Sequence, residues 1–296
     1  MNTKKFSEAM SEIDDKYYVE ATNYQSNRKK QSWIKWGAIA ACLCLIVAAF
    51  PVANILHNKG NQSGDAVQTI AALEYNGCYY EACDIDWVLE KFGLPNNITA
   101  AMAGEHLSYL VPDGAGYKET AAQSDIELYE YAPFPCRSVY VLRDGESYMA
   151  ALFCNFKRFD TNTNYELPTL YQLYGIEGAE DIASISHVDW NKGEIIGNIV
   201  TNADLITEFY SITAALISCG NDDFQAAVFG EILEEEQPAA HTAFADDNTT
   251  ICIEATSGLR FFIQVYPSYG WIESGGAMSY YQMNEAMHQW FNNYIE

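Results

Sequence analysis

The chain has 296 residues, and 40 Asp and Glu against 16 Lys and Arg leave it a formal net charge of −24. A surface that acidic repels phosphate backbones, which excludes nucleic acid as a partner and leaves cations or cationic peptides as the charged partners it attracts. Apolar residues make up 49% of the chain, enough for a sizeable core and too many for a disordered one.

At the N-terminus, Phe6, Met10, Ile13 and Tyr17 recur with helical spacing, and Glu8, Glu12, Asp14 and Asp15 occupy the other face. Residues 4–20 are thus predicted to form a short amphipathic helix. So short a helix needs a surface to bury its stripe, such as a cytoplasmic protein partner; a membrane-surface helix or a disordered tail is the alternative.

Trp36–Leu56 then runs for 21 residues without a charged side chain. As a helix it reaches about 31 Å, the thickness of a bilayer's hydrocarbon core. Thirty-five residues precede it, too many for a cleavable signal peptide, so it reads as a transmembrane helix held in the lipid bilayer. Arg28, Lys29, Lys30 and Lys35 lie before it and only Lys59 just after it, which places the N-terminus in the cytoplasm and the C-terminal domain outside the cell membrane. Residues 1–35 carry seven basic and five acidic side chains, whereas residues 36–296 carry nine and 35 and hold a net charge of −26. Residues 57–66 are a polar, Gly-containing linker.

Residues 67–296 are predicted to form an extracytoplasmic α+β domain of antiparallel β hairpins with interspersed helices, either as one body or as two halves divided near 175. Asn76-Gly77 turns a first hairpin. A helix follows with Ile85, Val88, Leu89 and Phe92 on one face, Asp84 placed to cap it and Gly93 to end it. Asp144-Gly145 turns a second hairpin, whose apolar run Met149–Phe153 suits a strand buried on both faces. A strand over Ile182–Val188 leads to Thr201 and Asp204 in a capping-box variant, then to a helix extending to Gly220. Ser257-Gly258 turns a third hairpin, and a helix after Asn284 carries Met287, Trp290, Phe291 and Tyr294.

No nucleotide-binding, metallohydrolase or serine-hydrolase motif is present, so no catalytic, cofactor-binding or metal-ligating residue is assigned. Asn221-Asp222-Asp223 and Asp246-Asp247-Asn248 lack the EF-hand pattern and read as turns. His187 and Asp189 read as a structural pair. Six cysteines lie beyond the span at irregular spacing, several as buried thiols, with Cys154 and Cys252 in strands. The aromatic tract of Tyr266, Tyr269, Trp271, Tyr280 and Tyr281 is the candidate ligand-binding surface, with core packing as its alternative.

Ser7–Tyr17 followed by Trp33–Leu45 resembles the leader of uncharacterised single-pass membrane proteins of gut Clostridia-type bacteria. These are organised like anti-sigma-factor-type regulators, and the resemblance is limited to about residues 1–45. It implies a short cytoplasmic helix, one span and an outer sensing domain. Residues 1–35 contain no Cys or His, which sets the chain apart from the zinc-containing anti-sigma proteins. The functional expectation is therefore a non-enzymatic, membrane-anchored binding or sensing module that signals to a cytoplasmic partner. A hydrolase of cell-wall material using acidic residues and a passive adhesion module are the rival classes.

Overall fold

The computed structural model describes residues 72–113, 116–156, 165–191, 193–233, 235–274 and 279–295. The amphipathic stripe of Phe6, Met10, Ile13 and Tyr17 and the apolar segment Trp36–Leu56 lie outside them. Among the described residues, no helix is long and apolar enough to cross a membrane. The architecture is mixed α+β with antiparallel sheets, one of them closed into a barrel.

The barrel begins with β1 (Ala72–Tyr75) and β2 (Cys78–Cys83), joined by Asn76 and Gly77 at φ +47° and +75°. Two positive φ values make the tight turn whose twist matches the flanking strands. A short helix, α1 (Asp86–Lys91), follows. Its N-cap is Ile85 with no side-chain hydrogen bond, so Asp84 does not cap it as its spacing suggested. Gly93, at φ +76°, does end it: its N–H bonds Glu90 O, and that of Leu94 reaches back to Leu89 O. The remaining strands are β3 (Ala103–Asp113), β4 (Gly116–Thr120), β5 (Ile126–Tyr131), β6 (Val139–Asp144) and β7 (Ser147–Phe156). The order β1-β2-β7-β6-β5-β3-β4 closes through a parallel pairing of Leu73 with Tyr117. Alternation along β7 explains its apolar run. Ala151 packs among Leu73, Tyr80, Leu128 and Leu142, whereas Ala150 and Leu152 pack on the opposite side with Leu89, Leu94 and Ile98 around α1.

Next come α2 (Leu167–Leu173), β8 (Ile182–Asp189), β9 (Glu194–Val200), α3 (Ala203–Ala214), β10 (Ser218–Cys219), α4 (Asn221–Phe229) and α5 (Gln237–Asp246). β11 (Thr249–Ala255), β12 (Arg260–Tyr266), β13 (Trp271–Ser274), β14 (Tyr280–Gln282) and α6 (Glu285–Tyr294) complete the chain. The seven strands form an open antiparallel sheet in the order β10-β14-β13-β12-β11-β8-β9. One face, carrying Ile185, Ile251, Ile253, Phe261, Ile263 and Ile272, packs with α2, α3 and α6 in the largest core. Phe209 and Trp290 meet there at 4.7 Å, and Trp290 Nε1 donates to Leu205 O.

Both ends of α3 also differ from the sequence reading. Asn202, not Thr201, caps α3, accepting from the N–H groups of Asp204 and Leu205. The helix stops at Ala214 rather than Gly220, because Ser218 and Cys219 extend to pair with β14. Asn221-Asp222-Asp223 is also not a turn but the start of α4, where the carboxylates suit the N-terminal helix dipole.

Candidate functional site

The opposite face of the open sheet is covered unevenly, and that unevenness defines the site. At the β13–β14 end, α4 and α5 cover it: Phe224 stacks on Tyr280 at 3.9 Å, and Phe244 on Tyr266 at 3.9 Å. Over β11–β12 the barrel's Phe92 and the hairpin's Trp190 both meet Phe262 edge-on. Towards β8 and β9, none of the described helices covers the face. A groove of about 410 Å³ opens there, floored by Ser184, Ser186, Val188, Cys252 and Phe262, with Lys91 of α1 on one side and Ile195 and Ile199 of β9 on the other.

Among the described strands, β9 is the sheet's edge and pairs with β8 alone. Ile195, Ile196 and Ile199 are 52%, 55% and 52% exposed. Three β-branched apolar side chains on an edge strand leave both their hydrocarbon and a row of backbone groups available to a partner. Among the described residues, the large aliphatic side chains this exposed are these three, Ile217 and Leu233.

The groove's charges are held in place. Lys91 is only 9% exposed; its Nζ donates to Trp190 O at 2.7 Å and lies 3.0 Å from the centroid of the Trp190 ring. Burial brings its pKa down to about 7, against the raising effect of Asp189. Arg260 Nε donates to Glu254 Oε2 at 3.1 Å, its guanidinium also reaches Glu90 O, and its N–H bonds Phe92 O. These contacts join the barrel's α1 to the sheet and form the groove wall. Burial pushes the Cys252 thiol up to about 12, so it stays protonated and unreactive at neutral pH. The arrangement offers apolar contact, hydroxyls, a backbone edge and fixed charges.

The aromatic tract lies elsewhere. Tyr266, Trp271 and Tyr280 are buried under α4 and α5, and Tyr281 is buried in the main core, donating to Tyr165 O. Tyr269 alone is exposed, at 36%, on a turn that Asp247 holds through both the N–H and hydroxyl of Ser268. Four of the five rings are therefore packed as core, and the tract does not form an open platform. Among the described residues no group of His, Cys, Asp and Glu suits a metal ion, and the six cysteines there are free thiols.

The groove strand was missed in the sequence, although Glu194–Val200 is rich in β-branched residues and follows a turn-forming Asn-Lys-Gly. Compared with protein families, curated proteins and solved structures, the chain finds no match.

Proposed function

We propose that this protein is a membrane-anchored envelope protein whose outer α+β domain is a non-enzymatic binding module that signals to a cytoplasmic partner. The observation that carries the binding role is the solvent-open groove beside β9, with exposed Ile195 and Ile199 at its rim. The contrast between a near-neutral leading segment and an outer charge of −26 supports the two-sided arrangement, as does the uncharged Trp36–Leu56 segment. In this reading Phe6, Met10, Ile13 and Tyr17 contact the cytoplasmic partner.

The test has two arms. Protease added outside intact cells should remove the acidic domain and spare the N-terminal tail; protection of the acidic domain would refute the orientation. Immobilised residues 1–32 should retain a cytoplasmic partner that Ile13→Asp releases. Equal retention by both, or by neither, would refute the signalling role.

A further inference from the structure

The exposed edge of β9 raises the question of what it was built to meet. Its seven residues span about 23 Å, room for an extended segment of six or seven residues. Six of the seven are exposed, and among the described residues the strand pairs with β8 along one side only. In an antiparallel pair, the groups not turned towards the partner strand point out along the other edge. Natural sheets blunt such an edge with Lys, Pro or a bulge; β9 has no Lys or Pro and Glu194 as its sole charged residue, and its register with β8 shifts between the Val188–Ile195 and Ser186–Ile199 pairs.

We infer that β9 is a docking edge for an extended basic segment of another protein, which adds to the seven-stranded sheet along Ile195, Ile196 and Ile199. This deepens the binding role proposed above and rests on it. Charge selects the occupant. A second copy would bring the same net −26 to the edge, whereas a basic strand meets an opposite field, including Glu194 and its cross-strand partner Asp189. Alternate side chains of the added strand would stand beside Ile195 and Ile199, on the face of the sheet that carries the groove.

The probe is an acetylated eight-residue peptide of alternating Lys and Val, titrated by fluorescence anisotropy against the full chain in detergent micelles. It should bind at least tenfold more tightly than the same peptide with Glu for Lys, and more tightly than a version with Pro for one central Val. Ile195→Ser combined with Ile199→Ser, at sites already half exposed, should weaken it at least tenfold with an unchanged circular dichroism spectrum. Equal affinity for the Lys and Glu peptides, for the Pro peptide, or for the double variant overturns the inference. A dimer in sedimentation that the double variant abolishes, without peptide binding, also overturns it by assigning the edge to a second copy. The protease and tail experiments are independent of these outcomes, so failure of strand addition leaves the membrane-anchored reading standing.

Discussion

Glu273 provides the sharpest physical test of the sheet's covered face. It sits on β13, buried beside Tyr266, with Trp271 before it in the strand and Tyr280 as its cross-strand partner. Tyr266 Oη lies 2.9 Å from both Glu273 Oε2 and Gln264 Oε1, one phenolic proton between two acceptors. A protonated Glu273 resolves this: it donates to the phenol, which donates to Gln264. Burial raises its pKa from 4.5 to about 7, and the hydrogen bond from Tyr266 only partly opposes that.

The sign follows from linkage. Below pH 4.5 the carboxyl is protonated in the folded and unfolded chains and costs nothing. Between 4.5 and about 7 only the folded chain keeps the proton, so stability falls as pH rises. At about 1.4 kcal/mol for each tenfold difference in proton affinity, the loss amounts to about 3 kcal/mol by pH 8. Glu273→Gln removes that titration while its amide still donates to Tyr266. Urea unfolding followed by tryptophan fluorescence should show wild type and variant within about 1 kcal/mol at pH 4.5, and the variant about 3 kcal/mol more stable at pH 8. Curves that keep a constant separation from pH 4.5 to pH 8 would refute the reasoning.

Other outcomes follow from the same packing. Gly93→Ala should destabilise the fold by at least about 2 kcal/mol more than Gly145→Ala in urea. Both glycines have positive φ, but a Cβ on Gly93 would lie 1.9 Å from Gly258 O, whereas one on Gly145 meets nothing within 4 Å. Trp190 emission should titrate with a midpoint of about 7 as Lys91 loses its proton against the ring, and Lys91→Met should abolish the transition. Because Lys91 releases its proton earlier in the folded than in the unfolded chain, its contribution to stability should rise with pH from about 7 to 10.5, and an unchanged slope in Lys91→Met would contradict that. Trp290→Ala should cost about 4 kcal/mol, since it empties the centre of the main core, and Tyr269→Ala less than about 1 kcal/mol. Midpoints of urea unfolding distinguish the two.

Local features were legible in the chain wherever a residue's own chemistry decided the backbone. Asn76-Gly77, Gly93, Asn284 and the Met287/Trp290/Phe291 stripe all do what their types and spacing dictate. So did the α+β class, because hairpins with short turns build antiparallel sheet. Positive-φ turns and helical periodicity are properties of a few consecutive residues. Cap choice was less secure: Asn202 and Thr201 are both good caps, and only the backbone path selects between them.

Closure of the barrel, by contrast, depends on a parallel pairing between Leu73 and Tyr117, residues far apart in the chain that no local pattern joins. The same holds for the aromatic tract. A Tyr or Trp on a strand carries the same apolar body and polar tip whether it faces a ligand or a helix, and the placement of α4 and α5 over this end of the sheet made Tyr266, Trp271 and Tyr280 core. The groove has the opposite history. No strand is read over Ile195 and Ile199 in the sequence, and they became surface because, among the described residues, β9 is the last strand of its sheet with no helix over this face. The sequence by itself determined the acidic character of residues 36–296, the uncharged Trp36–Leu56 segment, the turns and the helical faces, since each follows from composition or near neighbours. Which apolar face stays open was decided only by tertiary structure, because burial depends on what the rest of the chain lays across it.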